Sequence, residues 1–144
     1  MYKFLDHTAD LYVEVKAKNI KNVFIDSAKS ISEYISDLDK CDIDNINLTF
    51  IYEDKIENIL IQFLNEIAFF SLVKKLYLRK INEFNLTPFS EEKDVDLDKE
   101  YILNIECNFN KIKRIKREIK AITYCNIKLI KEKNFYRIKF IVDI

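Results

Sequence analysis

Glycine is absent from all 144 residues of this chain, and that single absence removes several classes of site. Phosphate-cradling loops of the Gly-x-Gly-x-x-Gly or Walker type cannot be written without it, so nucleotide-binding folds that depend on them are excluded. Left-handed turn positions must pass to the next most tolerant residues, Asn and Asp. Asn45, Asn82, Asn108 and Asn134 are the turn candidates on that ground. Histidine is almost as scarce, with His7 the only one. A zinc or imidazole-based catalytic site therefore lacks its second histidine, and a Cys-His nucleophilic pair needs Cys41, Cys107 or Cys125 to approach from far along the chain.

Excess charge is missing too, because 24 Lys and Arg balance 24 Asp and Glu. No global field steers the chain toward nucleic acid or an anionic membrane. Long apolar runs are also lacking: the most apolar stretch, ILIQFLNEIAFFSLV, is broken by Gln62, Asn65 and Glu66, and MYKFLDHTAD has no apolar signal core. The expectation is a protein without a signal peptide or membrane span. The three cysteines form no Cys-x-x-Cys pair, as expected of reduced thiols in a cytoplasmic protein that mostly fill core positions.

What is present reads as one domain over 1–144, mixed in secondary structure. LYVEVKAK alternates as a half-buried strand, with Leu11, Val13, Val15 and Ala17 on one side. Next, Ile20, Phe24, Ala28, Ile31, Ile35 and Leu38 recur at three- and four-residue steps behind Asn19, an N-cap type, and predict an amphipathic helix. INLTFIY reads as a strand, and Ile56, Leu60, Phe63, Ile67 and Phe70 predict a second helix. Beyond Leu76 the pattern is of strands: LYLRKI, NLTPF, YILNIECNF, EIKAITYCNIKLIK and NFYRIKFIVDI. In the penultimate one Ile119, Ala121, Thr123, Cys125, Ile127 and Leu129 alternate to one face, and in the last one Tyr136, Ile138, Phe140 and Val142 do. The fold class is α+β, a mainly antiparallel sheet with two helices packed on one side. The acidic stretch SEEKDVDLDKE is expected to be a solvated loop.

Three groups carry candidate chemistry. Asp143 and the terminal carboxylate of Ile144 are adjacent anions at a strand end. If the first strand pairs near the last, Asp10 joins them, and three hard oxygen ligands suit Ca²⁺ or Mg²⁺. The plainer reading is a turn aspartate and a solvated terminus. His7 and Thr8 are expected to hydrogen-bond a turn entering the first strand, with a direct contact from His7 to a partner as the alternative. In KIKRIKREIK, Lys111, Lys113, Arg114, Lys116, Arg117 and Lys120 stand against one acid, Glu118. Such a run can track an RNA backbone, but without interleaved aromatics a hairpin with solvated cations is preferred.

Taken in order, LDHTAD, QFLNEIAFF, IKAITY and VDI resemble the archease family, the resemblance covering residues 4–76 and 118–144. It implies a compact α+β domain and a cytoplasmic, non-enzymatic activator of the GTP-dependent tRNA-splicing RNA ligase. Such an activator promotes guanylylation and multiple turnover of the ligase in tRNA splicing and processing. It further implies a divalent metal site, Ca²⁺ by preference with Mg²⁺ or Mn²⁺ as substitutes, from Asp10, Asp143 and the carboxylate of Ile144. Lys120 matches the family's functional lysine, so that Lys120, Asp10 and Asp143 become the partner-activating set with His7 in support. The ligase is the implied partner, with contact to tRNA only indirect. The chain has Leu11-Tyr12 where many members have glycine and Cys125 where many have histidine. The competing reading is an RNA-binding or chaperone-like adaptor of tRNA-processing or tRNA-modifying enzymes.

Overall fold

Two antiparallel sheets, not one, divide the strands between them, and the two helices pack against both. The computed structural model describes residues 1–5, 10–88 and 94–144, with only the backbone of 124–127. The strands are β1 (Tyr2–Leu5), β2 (Leu11–Ala17), β3 (Cys41–Lys55), β4 (Leu76–Thr87), β5 (Glu100–Ile112), β6 (Ala121–Lys131) and β7 (Tyr136–Asp143), and the helices are α1 (Ile20–Ile35) and α2 (Ile56–Leu72). One sheet runs β1-β2-β7-β6 and the other β3-β5-β4. The α+β class and the helices against one face of each sheet agree with the sequence reading; the division into two sheets is new.

Local chemistry explains both helices. Asn19 is extended and its side chain accepts the Asn22 N–H at 2.8 Å, capping α1 as expected. Ahead of α2, Lys55 offers no capping side chain, but Asp54 one residue earlier accepts from the Lys55 N–H at 2.7 Å and from Asn58 at 2.9 Å. The other end of α2 needs a left-handed residue, and with no glycine in the chain Lys75 takes it, at φ 57°. Asn45 also has positive φ, 49°, at the register shift in β3. Asn108, by contrast, lies inside β5 and is buried, held by Arg79 at 2.8 Å and Asn47 at 2.9 Å. Asn82 lies inside β4 beside a register shift, and that irregularity lets one strand replace the two predicted from LYLRKI and NLTPF.

The core lies between the layers. Val13 and Val15 of β2 face Phe140 and Ile138 of β7, all fully buried, under α1. Phe24 of α1 packs on Phe63 of α2 and Phe84 of β4 with ring centroids 5.7 and 5.2 Å apart, knitting both helices to the second sheet. Burial of each such side chain contributes about 1.5–3 kcal/mol. In β7 the predicted face of Tyr136, Ile138, Phe140 and Val142 is buried. In β6 the predicted face is not continuous: Ala121 is exposed, while Ile122 and Leu129 are buried. Thr123 faces Ile141 and Lys128 faces Lys139, so five steps of β6 run beside two of β7. An odd number of extra residues turns the strand over.

Two loops also differ from expectation. In the described part of the acidic stretch, Val95 is 1% exposed and its N–H donates to the Tyr136 hydroxyl at 3.1 Å, while the Asp96 N–H donates to Tyr101 at 3.1 Å. That part is seated, not merely solvated. The basic run is no hairpin but an extended strap from β5 back to β6. The N–H groups of Lys116 and Arg117 donate to the Ile35 carbonyl at the end of α1, at 2.7 and 3.2 Å. Lys113 pairs with Asp42 at 3.1 Å, Lys116 with Asp37 at 2.8 Å, and Arg117 lies 4.7 Å from the Tyr34 ring centroid. Cations at a helix C-terminus also oppose its negative dipole end. Among the described residues no helix is long and apolar enough to cross a membrane.

Candidate functional site

The order β2-β7-β6 places the start of β2, the end of β7 and the start of β6 at one edge of the fold. Leu11 faces Val142, so Asp10, one step earlier, extends the ladder to the level of Asp143. On the other side Ala121 faces Asp143, and the Lys120 N–H donates to the Asp143 carbonyl at 2.7 Å. Neighbouring strands stand about 5 Å apart. Asp10, more than a hundred residues earlier in the sequence, is therefore brought together with Lys120, Asp143 and Ile144 at a single strand end. Asp10 and Asp143 are half-buried, and Lys120 and Ile144 are exposed.

Two supports hold this end in place. From α2, Asn65 lays its carboxamide along β6: its Oδ1 accepts the Ile122 N–H at 2.9 Å and its Nδ2 donates to the Ile122 carbonyl at 2.9 Å and to Ile61 at 3.0 Å. Since β6 is an edge strand, these are backbone groups no further strand would satisfy. The second support is the strap, anchored on the end of α1 by the Ser36 hydroxyl, which donates to the Arg114 carbonyl at 2.5 Å, and closed by Ile119, 6% exposed. Sequence reading missed Asn65 because a polar residue on an apolar helix looks like a mere interruption; its place inside QFLNEIAFF was the available signal.

Chemically, the end offers carboxylate oxygens and an ammonium. Carboxylate oxygens are hard donors of the kind that suit Ca²⁺ or Mg²⁺. Among the described residues no three His, Cys, Asp or Glu side chains form a metal-holding group. Asp10 and Asp143 supply two carboxylates, and Ile144, the source expected for a third, follows Asp143 directly in the chain. His7, and the turn proposed for it with Thr8, lie outside the described residues, as does the side chain of Cys125. Cys107 is fully buried, and burial, with Glu106 nearby, pushes its thiol from 9.0 up to about 12, as suits a packing residue. Cys41 is half-buried, and its thiol is likewise raised, by burial and by Asp39, Asp37 and Asp42.

Nearly the whole chain, residues 2–144, matches the archease protein family (MTH1598/TM1083). It is 26% identical over 147 residues to protein archease of Methanosarcina barkeri, covering 99% of this chain and 95% of that one. With protein archease of Sulfurisphaera tokodaii it shares 28% over 151 residues, covering 99% and 98%. Its fold superimposes on the solution structure of Methanobacterium thermoautotrophicum protein 1598 with a TM-score of 0.71 at 18% identity, covering 99% and 98%. A crystal structure of an archease from Thermotoga maritima, described as a possible chaperone, superimposes with a TM-score of 0.66 at 18% identity, covering 100% and 98%.

Proposed function

The chain belongs to the archease family, and from that premise we propose that it is a non-catalytic protein cofactor of the tRNA-splicing RNA ligase, promoting guanylylation and repeated turnover of that enzyme in the cytoplasm. The observation that carries the reading is the meeting of Asp10, Asp143 and Lys120 at one strand end, with the Lys120 N–H 2.7 Å from the Asp143 carbonyl. That end is a surface feature backed by two supports, a form suited to insertion at a partner's site.

In this mechanism the strand end docks beside the ligase active site. Asp10, Asp143 and the carboxylate of Ile144 would hold a divalent cation, by preference Ca²⁺, which when bound would supply charge neutralisation to anionic oxygens. Lys120 places its ammonium against phosphate, where a compact point charge stabilises developing negative charge. Asn65 and the strap keep β6, and with it Lys120, in register with Asp143. Nucleotidyl transfer depends on alignment and charge placement, so a preorganised docking end accelerates it without contributing a nucleophile.

The test is guanylylation of the cognate ligase by labelled GTP with Mn²⁺, with and without this protein. Wild type should stimulate; folded Asp143→Ala and Lys120→Ala proteins should not. Full stimulation by both variants refutes the mechanism.

A further inference from the structure

Away from this end, four cations meet on the outer face of the β1-β2-β7-β6 sheet in an unfavourable arrangement. Lys16 stands directly opposite Arg137 across β2 and β7, and Lys139 stands directly opposite Lys128 across β7 and β6. Like charges facing each other across a strand pair destabilise a sheet, and side chains at such positions start only about 5 Å apart. Two such pairs lie side by side. A shallow groove of about 220 Å³ runs between Lys128, Ile130, Arg137 and Lys139.

The nearby acids do not cancel this charge. Glu14 lies between Lys3 and Lys139, at 3.4 and 3.5 Å, with a side chain 11% exposed. Glu132 pairs with Arg137 at 2.7 Å. Lys16 rests over the Phe135 ring at 5.3 Å from its centroid. Among the described residues of this patch, with Lys3 counted, five cations stand against two acids in a chain whose net charge is zero, while Asp143 lies further along β7 toward the strand end. A net positive patch of this kind favours an anionic occupant.

We infer that this face holds the phosphodiester backbone of an RNA. A polyanion fits better than an acidic protein surface, because Lys is depleted from protein–protein interfaces, whereas three of the four facing cations here are Lys, and Ile130 is the one exposed large apolar side chain in the groove. Phosphate contacts of this kind position a strand without reading its sequence. The choice of RNA rests on the proposed ligase role; the cations themselves require only a phosphate backbone. On β7, Lys139 and Asp143 share the outer side by alternation and lie about 14 Å apart along the strand. RNA held here would thus lie beside the strand end that engages the ligase.

The experiment is fluorescence anisotropy of a labelled single-stranded RNA of about a dozen nucleotides against the full chain, with wild type and Lys128→Glu. Four phosphate contacts give a log–log salt slope of about −3, or roughly a 50-fold loss of affinity between about 50 and 200 mM salt. Lys128→Glu should bind at least about tenfold more weakly. It should also be at least as resistant to urea as wild type, since it turns a repulsive pair with Lys139 into an attractive one. Absence of RNA binding by wild type, normal binding by Lys128→Glu, or displacement of RNA by polyglutamate as effective as by unlabelled RNA would overturn the inference. Guanylylation of the ligase without RNA, measured on the same proteins, reads the ligase role separately.

Discussion

Asn65 and Ile122, 57 residues apart, are joined by two hydrogen bonds of 2.9 Å in which one side-chain amide replaces a missing strand at the edge of a sheet. Truncating or hydrophobising that amide leaves a backbone N–H and a carbonyl unpaired in a partly buried place. Asn65→Leu should lower stability by about 2 kcal/mol in urea melts. It should also speed hydrogen exchange at the Ile122 amide and weaken ligase stimulation, although residue 65 lies outside the proposed docking end.

Lys75 carries φ 57° where glycine would ordinarily stand. The left-handed conformation costs a residue with a Cβ about 1–2 kcal/mol, partly offset by the greater unfolded-state freedom of glycine. Lys75→Gly should therefore raise stability by roughly 0.5–1 kcal/mol, and Lys75→Val should lower it by more than about 1 kcal/mol. Denaturant midpoints of the two variants should lie on opposite sides of wild type.

Cys107 links stability to alkaline pH. Its folded pKa, about 12, exceeds the ordinary 9.0, so the unfolded chain releases the thiol proton first. The contribution is intact below about pH 9 and declines as pH rises toward 12, by at most about 1.4 kcal/mol per unit. Wild type should lose stability over this window more steeply than Cys107→Ala, as followed by urea melts at stepped pH.

The Tyr136 hydroxyl accepts the N–H of Val95 at 3.1 Å and seats the described part of the acidic stretch. Tyr136→Phe keeps the ring and removes the acceptor. A loss of about 1–2 kcal/mol is expected, with faster exchange at Val95 and unchanged exchange in α1.

Period-two and period-3.6 patterns made the elements legible: Val13 and Val15 in β2, Tyr136 to Val142 in β7, and the apolar steps of α1 and α2. Division into two sheets was not legible, because which strands pair is decided by long-range contacts that leave no local trace. The three acids were grouped only through the condition that the LYVEVKAK strand pairs with the last, a pairing that the register of Leu11 with Val142 shows, and Lys120 was singled out only through the family resemblance. The turned face of β6 escaped because an irregularity adds residues without a compositional mark. The strap escaped for another reason: charge alone does not tell whether Lys116 faces solvent or pairs with Asp37.

The central claim is that Asp10 and Asp143 act as parts of one activating end. The direct measurement is a double-mutant cycle on stimulated ligase guanylylation, comparing Asp10→Ala, Asp143→Ala and the double variant. The account predicts that each single variant abolishes most of the stimulation and that the double variant is no worse than the more damaged single one. Independent losses that multiply, or stimulation unchanged in either single variant while the protein remains folded, would contradict it.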